Sequence, residues 1–114
     1  MQVETEIDDE VEWWLLQNWE CNFDWDEHNL RKLDKHDLTV FEVVSMFDGT
    51  ILFGGRILPP PNIKWAERRY IIFGKSNTKK RLALIWTIRG SALRPITCRR
   101  MRDNEKRQYD KIAN

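Results

Sequence analysis

At Asp48-Gly49 the spacing of apolar residues changes from mainly helical to that of a run of consecutive strands, and that change constrains the fold more than any other feature. Before it, apolar positions recur at helical intervals. After it, short apolar runs of strand length alternate with tight polar turns. Strands that follow one another through short turns pair antiparallel, so the second half specifies an antiparallel sheet on which the helices must pack, an α+β domain. The strands are expected at Ile51–Phe53, with a continuation at Arg56–Leu58, then at Glu67–Phe73, Arg81–Ile88 and Leu93–Cys98. Pro59-Pro60-Pro61 makes a stiff loop, Gly74–Lys80 a polar turn and Gly90-Ser91 another. Arg81–Ile88 is apolar enough to be central. Pro95 cannot donate a ladder hydrogen bond, so the last strand must be an edge strand or carry a bulge.

The helices have their own signals. Val11, Trp14, Leu15 and Asn18 predict a short helix over Val11–Trp19, and Phe23–Asp26 alternates as a short strand does. Asp26 can cap a helix over Glu27–His36 with Leu30 and Leu33 facing inward. Thr39 and Glu42 have capping-box spacing, and Leu38 with Val43 can form the hydrophobic staple, which starts a helix over Val40–Phe47. A closing helix over Asp103–Ala113 would turn Tyr109, Ile112 and Ala113 inward. There are no internal repeats.

With 114 residues this is one compact domain, and at that size about 65% of the unfolded surface can be buried. A composition of 41% apolar and 32% charged residues is that of a soluble globular protein. No run is long and apolar enough to cross a membrane, and no export signal opens the chain, so a cytoplasmic protein is expected. The net charge of +1 conceals a split. Residues 1–27 hold ten acids and no Lys or Arg, whereas residues 28–114 hold all 19 Lys and Arg against 8 acids, giving 19 − 8 = +11. A basic body of this kind suits a polyanionic partner. Cys21 and Cys98 lack metal-ligand spacing, which leaves two reduced thiols or a single bridge.

Cations cluster at Arg31/Lys32/Lys35, Arg68/Arg69, Lys79/Lys80/Arg81 and Arg99/Arg100/Arg102 with Lys106/Arg107. Lys79-Lys80 reads as a solvated turn. Arg99-Arg100 lies between an apolar strand and a helix, where side chains project over a sheet and a helix start favours anions. Cleaving RNA without a metal needs a base for the 2′-hydroxyl, an acid for the leaving oxygen and cations for the phosphorane charge. Of the two histidines, His28 and His36, only His36 suits acid–base work within the basic part. No G-x-S-x-G, P-loop or catalytic Cys–His spacing supports another hydrolase class.

The run Phe23-Asp24-Trp25-Asp26-Glu27-His28-Asn29, followed by Lys35-His36 and a capped helix, resembles the opening of the BrnT toxin family. Glu67, Arg69, Tyr70 and Gly74 are similar to that family's Glu-x-Arg-Phe/Tyr strand ending in Gly. Ile96-Thr97-Cys98-Arg99 is similar to its Ile-Ser-Ala-Arg strand end, and Glu105 with Tyr109 to its last helix. The resemblance covers about 23–112. It implies a RelE-like antiparallel sheet with N-terminal helices and a C-terminal helix packed on it, forming a toxin domain over 23–114 behind an acidic extension over 1–22. It also implies a metal-independent ribonuclease that inhibits translation and needs no cofactor. The implied partners are RNA and a BrnA-type ribbon-helix-helix antitoxin, with operator DNA met only through the complex of the two. The catalytic positions it implies are His36, Arg69, Arg99 and Tyr109, and Lys35, Arg68, Arg100, Arg102 and Arg107 would bind RNA. Tyr109 and Glu105 also admit a structural role, locking the last helix to the sheet.

Departures from the family pattern carry further expectations, the Pro59–Pro61 loop being a local variation. Asp37 stands where the family usually has Gly, a position suited to a left-handed helix end. Pro95 interrupts the last strand. These two motivate an alternative, a catalytically inactive RNA- or protein-binding module of the same fold. The acidic extension could fold back on the basic face and compete with phosphate, or could be a solvated tail.

Overall fold

The structure is a computed structural model and describes residues 22–48, 53–57, 61–63 and 67–113. The expected helix over Val11–Trp19, the residues of the acidic extension before Asn22, and most of the proline loop lie outside the described residues. One sheet organises the rest. Its strands are β1 (Asn22–Phe23), β2 (Phe53–Ile57), β3 (Arg69–Lys75), β4 (Arg81–Arg89) and β5 (Ala92–Arg100), in the order β1-β5-β4-β3-β2. β2 through β5 are antiparallel, as short turns require. β1 adds two residues to the outer edge of β5 in parallel, which is shorter than the strand expected over Phe23–Asp26. The chain leaves the sheet there because Asp24 and Asp26 turn to bind Arg94, and Asp26 begins a helix. β2 is a single strand running through Gly54-Gly55.

The helices are α1 (Glu27–Lys35), α2 (Val40–Ser45) and α3 (Asp103–Ala113). Both expected caps are present. The Asp26 side chain accepts from the Asn29 N–H at 2.7 Å, and Thr39 and Glu42 exchange the two bonds of a capping box. α2 gives way to a 3-10 turn at Met46–Asp48, shorter than the helix expected to Phe47. α3 has the expected bounds.

Strand alternation sorts the sheet into two faces. Tyr70, Ile72, Leu82, Leu84 and Trp86 point to one face, where they bury Leu33, Leu38, Val43 and Met46 of the α1–α2 layer. Ile71, Phe73 and Ala83 point to the other, where Met101 and Tyr109 cover them. Each large apolar side chain so buried contributes roughly 1.5–3 kcal/mol.

Pro95 has the consequence foreseen, a bulge. Ile85 pairs with Thr97 and Trp86 with Pro95, so Ile96 is the extra residue on β5. Because β1 stops at Phe23, the outer edge of β5 is left without a strand from that point on, and α1 supplies the missing donors. Asn29 donates its side-chain amide to the Pro95 carbonyl, and Lys32 Nζ donates to the Ile96 carbonyl at 3.3 Å. This corrects the inward face expected for α1: Asn29 and Leu33 are buried, while Leu30 is 38% exposed. On α3 the inward pair is Glu105 and Tyr109, and Ile112 is 46% exposed, against expectation.

Asp37 ends α1 in the left-handed region, with φ 55°. That conformation costs a non-glycine residue roughly 1–2 kcal/mol, part of which Gly would return as unfolded-state entropy. Asp37→Gly is therefore expected to stabilise the protein by about 0.5–1 kcal/mol, read as a rise of about 3–5 °C in melting temperature. A fall would show that the Asp37 side chain does more than occupy the position.

Candidate functional site

The positions singled out by sequence fall into two layers. Arg69 precedes Tyr70 on β3, so it shares its face with Ile71 and Phe73. Arg99 pairs across from Ala83 and projects to that same face, where Tyr109 of α3 also packs. His36 lies in the other layer, as the exposed C-cap of α1. The bonds from Asn29 to Pro95 and from Lys32 to Ile96 show α1 running along β5 in the strand's own direction, which carries His36 toward the Arg100 end. The four positions therefore do not form one contiguous cluster; three share a face and the fourth stands in the helix layer opposite.

Within the shared face, Arg69 stands in the row of Thr87 and Arg99 in the row of Ala83, two strands over. At ordinary strand spacings this puts their Cα atoms about 16 Å apart, suited to different points of an extended strand rather than to each other. Half-buried Ile85 and its partner Thr97 lie between those rows. Thr87 ties β4 to the start of β3 by donating its hydroxyl to the Arg68 carbonyl at 2.7 Å.

Arg99 is held closely. Its Nη1 and Nη2 donate to the two carboxylate oxygens of Glu105 at 2.7 and 3.1 Å, and Nη1 also donates to the Arg100 carbonyl at 3.2 Å. Glu105 is 2% exposed at its side chain and accepts in addition the Arg102 N–H at 2.7 Å. Burial pushes the Glu105 carboxyl upward, but Arg99 and the Arg102 amide outweigh it and hold the group below its ordinary value. Tyr109 moves the other way, raised by burial and by neighbouring Asp110, so its hydroxyl stays protonated. Asp110 itself pairs with Arg81, which fixes α3 against the start of β4.

The cations expected to contact RNA are all exposed: Lys35 in the last turn of α1, Arg68 just before β3, Arg100 at the end of β5, Arg102 before α3 and Arg107 on it. Lys80 departs from the solvated turn expected for Lys79-Lys80. It pairs with Glu42 at 2.9 Å and donates to the Asp37 carbonyl at 3.1 Å. The bonds from Lys80 and Thr78, with the Thr39 amide, bring the Glu42 carboxyl down to about 2. This pins the β3–β4 turn to the start of α2. Cys98 is a buried free thiol, pushed up to about 12 by its burial, which makes it an unreactive core residue. Among the described residues, no group of three His, Cys, Asp or Glu side chains could hold a metal ion, and no helix is long and apolar enough to cross a membrane.

Sequence reasoning missed two groups. Arg94 binds Asp24 at 3.0 Å and also binds Asp26, holding the β1–α1 connection, a pairing that spans about 70 residues and has no local signal. Asn29 enters the sequence reading as part of the family-like run, but its bond to the Pro95 carbonyl does not, because an amide on a helix's inner face is unreadable until the carbonyl it serves is known.

The family model for the ribonuclease toxin BrnT of type II toxin-antitoxin systems matches residues 25–105. No curated protein matches the chain.

Proposed function

The chain belongs to the BrnT family of ribonuclease toxins of type II toxin-antitoxin systems, and from that premise we propose that it is a metal-independent endoribonuclease that inhibits translation. A toxin of this type has RNA as its substrate and an antitoxin as its partner. The finer reading is a cytoplasmic enzyme on a RelE-like form of the α+β fold, whose toxin domain spans 23–114 behind an acidic extension. A BrnA-type ribbon-helix-helix protein would neutralise it, and only that complex would meet operator DNA.

The observation that carries the reading is the shared face of Arg69 and Arg99, bordered by exposed Arg68, Arg102 and Arg107. In the proposed reaction the 2′-oxygen attacks the adjacent phosphorus and the 5′-oxygen leaves, so a proton must be removed from one and delivered to the other. His36 takes the proton-transfer role. Arg99 binds the scissile phosphate and offsets the charge that grows on it in the phosphorane, while Arg69, at another point of the strand, contacts and neutralises a neighbouring phosphate. Tyr109, buried and protonated, holds α3 in register so that Arg99 keeps its place. Lys35, Arg68, Arg100, Arg102 and Arg107 attract the backbone at either side.

Purified protein is expected to cut single-stranded RNA in excess chelator, and its expression to arrest bacterial growth. Intact RNA together with harmless expression would overturn the enzyme reading. A second reading, an inactive RNA- or protein-binding module, draws on one observation: His36 lies in the layer opposite Arg69 and Arg99. It predicts binding that weakens steeply with salt and yields no products.

A further inference from the structure

We propose that Glu105 is a positioning residue that dedicates one edge of Arg99 to a phosphodiester. This deepens the reading above and rests on it for the identity of the ligand as RNA. A guanidinium carries five N–H donors in a fixed plane. In Arg99 three are occupied: two inner Nη–H groups by the Glu105 carboxylate, and the outer Nη1–H by the Arg100 carbonyl. The remaining two, Nε–H and the outer Nη2–H, lie side by side on one edge and point the same way. Neither donates to an acceptor among the described residues, and together they form a fork of the geometry that takes two oxygens of a phosphate.

Three features set this apart from an ordinary ion pair that locks a helix to a sheet. The Arg99 side chain remains 17% exposed while its carboxylate partner is 2% exposed, so the pair is oriented with the cation outward. Glu105 is fixed independently by the Arg102 N–H, so it does not need Arg99 to hold its rotamer. The Arg100 carbonyl fills the one donor that would otherwise point away from the free edge. The result is a cation whose unused donors are restricted to a single direction, which lowers the ordering cost of binding an anion.

The test uses the full chain and a single-stranded RNA made uncleavable by 2′-O-methylation, with affinity read by fluorescence anisotropy. Arg99→Lys keeps a positive charge and loses the fork, and about a tenfold loss of affinity is expected. Glu105→Gln keeps size and the Arg102 bond but releases the guanidinium, and a similar loss is expected. In the double variant the losses should not add, because Glu105 acts only through Arg99. A purely structural Glu105 would lower stability in both backgrounds and leave affinity unmoved. Wild-type affinity in Arg99→Lys, or additive losses in the double variant, would overturn the proposal. If Glu105→Gln does not fold, Glu105→Asp takes its place in the cycle, and Arg99→Lys still tests the fork by itself. Fork-dependent binding by a wild-type protein that cuts no RNA would sustain the fork and remove the enzyme reading, so the two fail separately.

Discussion

Arg99→Ala is expected to destabilise the protein by about 3 kcal/mol or more and to invert part of its pH dependence. The reason lies with the partner left behind. Glu105 is 2% exposed, and without Arg99 its carboxylate keeps the Arg102 N–H but loses its cation. In the wild type the folded carboxyl lies below its ordinary value, so its contribution is complete above the ordinary carboxylate range and is lost as the pH falls through the folded value. In Arg99→Ala burial dominates and raises the folded value above the unfolded one. The variant then gains stability on acidification, because protonation removes the orphaned charge. Urea midpoints at pH 5 and pH 7 decide the matter. A smaller deficit at pH 5 is expected, and an equal deficit at both would show that the cost arises from packing alone. Glu105→Ala should cost less, since it leaves a partly exposed guanidinium that water can serve.

His36→Ala is expected to lower RNA cleavage by about 10²–10⁴-fold while leaving the melting temperature within about 1–2 °C of wild type. These two outcomes separate because His36 is an exposed C-cap whose side chain makes no hydrogen bond or ion pair with the described residues. Its backbone N–H, which does bond to Leu33, survives the substitution. Unchanged cleavage would remove His36 as the proton-transfer group. A large fall in melting temperature would show that the imidazole supports the α1 end after all.

The parts of the fold that were legible in the sequence are those held by near neighbours. Asp26 to Asn29 and Thr39 to Glu42 are each three residues apart, so the caps of α1 and α2 are written in the spacing itself. The bounds of α3 and the position of the bulge were readable for the same kind of reason. A proline lacks its N–H wherever the chain places it, so Pro95 had to disturb its strand. The inward faces of the helices were not readable, because they depend on what lies beneath. Asn29 is buried in preference to Leu30 only because β1 stops after two residues and leaves the Pro95 carbonyl needing a donor, a fact separated from Asn29 by 66 residues.

The candidate site divides in the same way. The sequence alone determined an antiparallel sheet with helices on it, two helix caps and a basic body, since each follows from local backbone chemistry or from composition; the left-handed residue after α1 was indicated by the family resemblance. Only the tertiary structure decided that Arg69 and Arg99 share a face, that His36 stands in the opposite layer, and that Glu105 uses up three of its neighbours' donors while Lys80 turns inward to Glu42. Strand register sets which side chains share a face, and the burial of a carboxylate sets which cation must answer it. Both are properties of contacts between distant segments, which residue spacing along one chain does not contain.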